Sequence, residues 1–400
     1  GYDVMILTDD DWPTIPPGAR AAILQWVRLG GLVSLHRLSS TSFASLGIET
    51  SQTGDKTTYG LGEIELSGRP AAGAPVLDPK KTVNRYLAKR GSLPHPPVNT
   101  SIVNDYSSGW PLQKEFGEQR FDYGIFVVVL IAFGVLVGPI NLFVFAKSGM
   151  RHKLFITTPI ISLGASLLLG ALILAKDGIG GRGQRVCLAE VRPDDGENSA
   201  YLIQEQVSRT GVLLGASFPV RESAFLTPVP IARSPWARLT PNSGGGGAHY
   251  RSQFGEAGLQ LSGDWFQSRS EQGHLLQAVI PTRGRIERRN ASGAPVVVST
   301  FGAPIDRLCL TDDSGGHWLA EQLEAGKPVT CQPMTRATFQ QLVKEQKQRL
   351  ASRQRQFFAQ AAERRGHFIA LSTSAPAVET YDRLDWTETH TILTGPLVTP

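Results

Sequence analysis

Residues 125–145 read IFVVVLIAFGVLVGPINLFVF and residues 154–174 read LFITTPIISLGASLLLGALIL; neither stretch contains Asp, Glu, Lys or Arg. Each is 21 residues long, and about 20 apolar residues are needed to cross roughly 30 Å of hydrocarbon. The connector Ala146–Lys153 carries Lys147, Arg151, His152 and Lys153, which is too polar to remain in lipid. The economical reading is a transmembrane helical hairpin over 123–176, with soluble regions before and after it. Long helices of a soluble core interrupt their apolar surface with charge, and these two runs do not.

The charges beside the runs give an orientation. Three Lys/Arg crowd the eight-residue connector, whereas Lys114–Asp122 mixes Lys114 and Arg120 with Glu115, Glu118 and Asp122, and Lys176, Asp177, Arg182 and Arg185 are spread out. The positive-inside rule therefore puts the connector in the cytoplasm and both large regions outside it. An exported first region needs an upstream signal or span. The chain opens on Gly1, directly in a strand-like run, and so reads as truncated or processed.

Within the spans, Gly134 and Gly138 stand four apart, and Ser162, Ser166 and Gly170 repeat that interval. Small residues so spaced let helix backbones approach closely in lipid, so these five are the expected helix-packing positions. Gly138-Pro139 is expected to kink the first helix, and Asn141 requires a hydrogen-bonding partner. Two helices cannot enclose a channel, which makes the hairpin an anchor or an assembly surface.

Composition limits the function classes. The 400 residues hold 40 Lys+Arg against 35 Asp+Glu, with no compact basic block of the kind that marks a nucleic-acid site. The 42 Gly and 26 Pro suit a β-rich, loop-rich chain. Three cysteines, Cys187, Cys309 and Cys331, are too few for a disulfide scaffold and match no metal motif. Cys309 and Cys331 fall on neighbouring expected strands, where a disulfide and two free apolar thiols are both open. His249, His274, His317, His367 and His390 lack metal-ligand spacing and read as surface or loop residues. No cofactor or metal is implied; the lipid bilayer and protein partners in a membrane complex are, and nucleic acid is not.

Before the membrane, residues 1–93 alternate strand and helix signals. Tyr2–Thr8 is a strand-length apolar run, Pro16-Pro17 opens a helix that Gly30-Gly31 stops, and Leu32–His36 is a second strand. Strand, helix and strand with tight punctuation is a βαβ unit of a parallel sheet, flavodoxin-like in class. Thr58–Ser67 reads as one further strand with a bend at Gly60-x-Gly62, Pro79–Arg90 as a helix, and 94–122 as a linker. Asp9, Asp10 and Asp11 end the first strand. Carboxylates at the C-terminal edge of such a sheet are weak ligand-site candidates, although Asp also favours turns and helix starts.

The run Tyr2–His36 with its Asp cluster, Trp26-Val27-x-x-Gly30-Gly31, Tyr59-Gly60-x-Gly62 and the later Gly138-Pro139-Ile140-Asn141 resembles bacterial envelope membrane proteins. In these a degenerate class I glutamine amidotransferase-like domain precedes a transmembrane hairpin and a β-sandwich. The resemblance covers about residues 1–70 and 121–176. No cysteine lies in the first of these stretches, and His36 is followed by Arg37-Leu38 where a triad has His-x-Glu. No catalytic residue transfers. The resemblance implies a scaffold, sensor or accessory subunit of an envelope complex, beside a transporter or ATPase encoded nearby. The alternative is an envelope hydrolase or amidotransferase whose nucleophile lies upstream of residue 1.

After the membrane, 177–336 shows short turn-separated runs: Ala200–Gln206, Gly211–Ala216, Gly258–Ser262, His274–Ile280, Val296–Phe301 and Arg307–Thr311. These predict an all-β, sandwich-like domain. Gly244–Gly247 lacks a following Lys-Ser/Thr and reads as a flexible hairpin or linker. Residues 337–400 complete this domain with one amphipathic helix, Ala337–Arg365, and closing strands beginning at Phe368–Ser372. The basic face of that helix suits anionic lipid, and its apolar stripe suits packing on the sandwich.

Overall fold

The computed structural model describes residues 4–28, 31–37, 42–46, 48, 55–59, 62–67, 106, 109–117, 123–145, 149–192, 198–213, 215, 217–222, 224–232, 234–240, 249–255, 258–290, 293–375 and 377–399. The expected helix at Pro79–Arg90 and the Gly244–Gly247 run lie outside the described residues.

The first unit contains β1 (Val4–Thr8), α1 (Asp11–Thr14), α2 (Pro17–Arg28), β2 (Leu32–His36), β3 (Lys56–Tyr59) and β4 (Gly62–Ser67). Its sheet has the order β1-β2-β4-β3. β1, β2 and β4 are parallel, as a βαβ unit requires, but β3 runs antiparallel to β4. The stretch expected as one bent strand is therefore two, because Lys56 pairs with Glu65 and Tyr59 with Gly62. Val33, Leu35, Ile64 and Leu66 share one face by the period of two and pack with Val27 and Trp12.

The two apolar runs form helices long and apolar enough to cross a membrane. After α3 (Pro111–Phe116), α4 (Tyr123–Val135) continues as a π-helix over Leu136–Phe145, and α5 spans Leu154–Asp177. Pro139 explains the change of winding: it has no N–H to donate, and its ring collides with the carbonyl four residues back in an α-helix. The wider turn eases the ring's collision, and Leu136–Phe145 winds as a π-helix. Side chains such as Val128, Phe143, Phe155 and Leu167 point outward and are more than half exposed.

The β domain contains β5 (Gly181–Arg192), β6 (Ser199–Thr210), β7 (Phe218–Val220), β8 (Ala224–Val229), β9 (Tyr250–Gly255), β10 (Gly258–Gly263), β11 (Glu271–Pro281), β12 (Ile286–Arg288), β13 (Val296–Ser299), β14 (Ile305–Thr311), β15 (His317–Leu323), β16 (Pro328–Thr330) and β17 (Gln332–Met334). It closes with α6 (Arg336–Arg349), α7 (Ser352–Ala362), β18 (His367–Ser372) and β19 (Leu384–Val398). The main sheet runs β17-β15-β14-β18-β19-β5-β6-β11-β8, antiparallel except for β19 beside β5. β7-β10-β9 form a separate small sheet, and β12, β13 and β16 branch from the end of β19.

Alternation along the central strands sorts two cores. Cys187, Ala189 and Val191 of β5, with Leu308 and Leu310 of β14 and Phe368 and Ala370 of β18, pack against Phe218, Leu261 and Val297 of the small strands. Val186 and Leu188, with Cys309, Ile369 and Leu371, pack on the opposite face against Phe339 and Leu342 of α6, Phe358 of α7 and Leu350 between them. The domain is thus helices, main sheet and small sheets in three layers, a β-rich arrangement compatible with the expected sandwich-like class. Both sheet faces are covered, which explains why β6 is buried along nearly its whole length and β5 over Val186–Val191.

Two further readings are made specific. The amphipathic segment is two helices, broken at Leu350-Ala351, where Leu350 is extended and almost fully buried. Packing prevails over lipid contact for its apolar stripe. All three cysteines are free thiols, and Cys309 lies in the helix-side core while Cys331 lies in the other.

Candidate functional site at the base of the β domain

The residues before the first span do not form a free linker throughout. Tyr106, Trp110 and Leu112 are buried in the helix-side core of the β domain. Trp110 is 1% exposed, and its indole N–H donates to Glu205 Oε2 at 2.7 Å. It meets the Tyr106 ring edge-on at 5.1 Å. Gly273 on β11 makes room, since a Cβ there would stand 2.8 Å from the indole ring. The other Glu205 oxygen accepts the Ala351 N–H at 3.2 Å, at the break between α6 and α7. One carboxylate on β6 therefore joins the pre-span segment, the sheet and the helical layer. Burial is the main influence on this carboxyl and pushes it up to about 7, against the hydrogen bonds from Trp110, Ala351 and Tyr106 and the charge of Arg355.

At the other end of α3, toward the hairpin, Arg209 donates to the Gly117 carbonyl at 2.9 Å and lies over the Phe116 ring at 4.7 Å. It also pairs with Glu271 at 3.2 Å, both side chains being less than a tenth exposed, and Ser234 donates to the same carboxylate at 3.0 Å. A buried pair of this kind needs such extra hydrogen bonds to offset the cost of desolvation.

The second span is fastened to the same place. Asp177, its last residue, pairs with Arg269 at 2.7 Å, and Arg269 lies over Trp236 at 5.7 Å. Val212 N–H donates to Gly178 O at 3.0 Å and Gly211 N–H to Gly180 O at 2.7 Å. Gly211 is required here, because a Cβ would run into the carbonyls of Asp177 and Gly178. The chain on both sides of the hairpin thus converges on the end of β6 and the start of β11.

The expected helix-packing positions behave differently. A Cβ added at Gly134, Gly138 or Gly170 meets no atom within 4 Å, so none of these glycines mediates a close approach to the partner helix. Ser166 is exposed and Ser162 half-buried. The second span packs chiefly on the π-helical segment. Asn141 is the contact there: its Nδ2 donates to Thr158 Oγ1 at 2.9 Å, and Thr157 Oγ1 donates to its Oδ1 at 2.6 Å.

The Asp cluster is occupied by local structure. Asp11 accepts from the Thr8 N–H at 3.1 Å and from the Thr8 hydroxyl, which lowers its pKa. Asp9 is buried, with its N–H donating to His36 O at 3.0 Å, and Asp10 is exposed. Among the described residues no group of three or more His, Cys, Asp and Glu side chains is placed to hold a metal ion. His274 is not at the surface: it is 1% exposed, shares a hydrogen bond between Nε2 and Trp265 O at 2.8 Å, and burial holds its pKa down to about 4. Burial pushes Cys187 and Cys309 up to about 12 and Cys331 to about 11, leaving no activated thiolate among them.

Comparison with family models and with curated proteins finds no match to this chain.

Proposed function

We propose that the chain is a non-catalytic integral membrane protein of the bacterial envelope, serving as a scaffold, sensor or accessory subunit of an envelope complex. In this reading the hairpin lies in the inner membrane and both soluble regions are extracytoplasmic. The observation that carries it is the double attachment at the base of the β domain: Arg209 to Gly117 ahead of the first span, and Arg269 to Asp177 at the end of the second. A domain so tied to both ends of a hairpin is held at a fixed height and orientation above the bilayer. That suits positioning or transmission between soluble partners and the membrane.

Native electrophoresis of membranes solubilised in mild detergent tests the reading. The expected result is migration in an assembly with other envelope proteins, and no glutamine or ester hydrolysis. A solitary chain with hydrolase activity that Cys187→Ala or His36→Ala abolishes would overturn it.

A further inference from the structure

We propose that Glu205 is a protonation-controlled latch that holds the pre-span segment, Tyr106 and residues 109–117, against the β domain. This deepens the reading of the β domain as a part fixed to the membrane hairpin and rests on it.

Glu205 is 1% exposed and is met by two N–H donors, from Trp110 and Ala351, but among the described residues by no ion pair. Its neighbours across the sheet, Val186 on β5 and Leu275 on β11, are apolar. The titratable and charged groups that reach it are Arg355 from α7, Tyr106 from the pre-span segment and Cys187 from β5, the last on the opposite sheet face. Tyr106 is itself tied to α7, its hydroxyl accepting from Gln354 Nε2 at 3.2 Å. Undocking of the pre-span segment removes Trp110 and Tyr106 and opens the carboxyl to water.

The sign follows from that exposure. Docked, burial raises the Glu205 carboxyl from 4.5 to about 7. Solvated, it returns to the ordinary value. Protonation therefore favours docking, and the advantage is lost as pH rises through 7. Linkage between these two values weakens docking about 30-fold from pH 5.5 to pH 8.5. The latch is tight in mild acid and looser in mild alkali.

The test is hydrogen exchange on the full chain in nanodiscs, read as protection factors for residues 111–117. The amides of Lys114 and Gly117, which donate to Trp110 O and Gln113 O, report on this helix. Protection is expected to fall by about an order of magnitude or more between pH 5.5 and 8.5 in the wild type, and to be flat with pH in Glu205→Gln. Trp110→Phe keeps the ring but removes a donor to the anion, so it should carry the upper end of the pH-dependent range to higher pH. Equal protection at both pH values in the wild type, or an unchanged pH profile in both variants, would overturn the latch alone. Absence of protection at every pH would instead remove the attachment on which the functional reading stands.

Discussion

Asn141 Nδ2 donates to Thr158 Oγ1 at 2.9 Å, a side-chain hydrogen bond between the two apolar helices. Asn141 is fully buried, while Leu142 is 42% and Phe143 72% exposed beside it. A carboxamide cannot face hydrocarbon without loss, so this bond and the one from Thr157 fix the helices in rotation and register where they meet.

Asn141→Ala and Thr158→Val are each expected to lower the thermal stability of the detergent-solubilised protein. The double variant should lose less than the sum, with a coupling of about 0.6–1.7 kcal/mol. Strict additivity would show that the two side chains do not interact.

Gly134→Ala and Gly138→Ala are expected to leave stability unchanged or slightly raised, because the added methyl groups enter open space and Ala is the better helix former by up to about 1 kcal/mol. Gly183→Ala is the contrast: its Cβ would stand 2.5 Å from the Trp386 ring and 2.9 Å from the Val207 carbonyl. Overpacking at that position should cost about 1–3 kcal/mol. Thermal unfolding of the three variants checks the ordering.

The hairpin and most strands were legible because each rests on a repeating local signal: an unbroken apolar run in one case, a period of two in the other. Expected Gly258–Ser262 and Arg307–Thr311 became Gly258–Gly263 and Ile305–Thr311. Of expected Gly211–Ala216, Gly211 and Val212 are drawn into the hairpin attachment, and Leu214 and Ala216 lie outside the described residues. The small-residue spacing misled because it encodes a face without saying whether that face meets a partner. Gln204, Glu205 and Gln206 look like solvent-facing residues, yet all three are buried because both faces of β6 are covered. The only sequence trace of the base site is Trp110-Pro111, an aromatic anchor and helix start shortly before the first span. Nothing local announces that Arg209 pairs with Glu271, 62 residues further on.

Phe358 on α7 is completely buried in the helix-side core. Phe358→Ala is expected to cost about 3–5 kcal/mol through lost transfer energy and the cavity left behind. Phe225→Ala on the edge strand β8, where the ring is 41% exposed, should cost far less. Denaturant unfolding that ranked them equally would contradict the layer order of helices on the sheet.

Acid should weaken the β domain through His274. Burial holds this imidazole neutral and depresses its pKa from 6.5 to about 4. A depressed value means that the contribution is complete above 6.5 and is lost as pH falls from there toward 4, with an upper bound of about 3 kcal/mol. His390 acts in the same direction: burial and then Arg349 lower it to about 4, against Asp306. Thermal melts should therefore decline between pH 6.5 and 4, and His274→Gln should flatten that decline. An identical acid limb in the variant would remove His274 from the account.

We propose that the hairpin turn and the β domain lie on opposite sides of a membrane. Met150 in the turn is 39% exposed, and the Lys327 side chain on the β domain is 69% exposed. The three native thiols are buried with raised pKa values, so a cysteine placed at either position is the reactive one. The most direct measurement is labelling of Met150→Cys and Lys327→Cys in intact spheroplasts with a membrane-impermeant maleimide. The account expects Lys327→Cys to be labelled in intact spheroplasts and Met150→Cys only after lysis; labelling of both before lysis would contradict it.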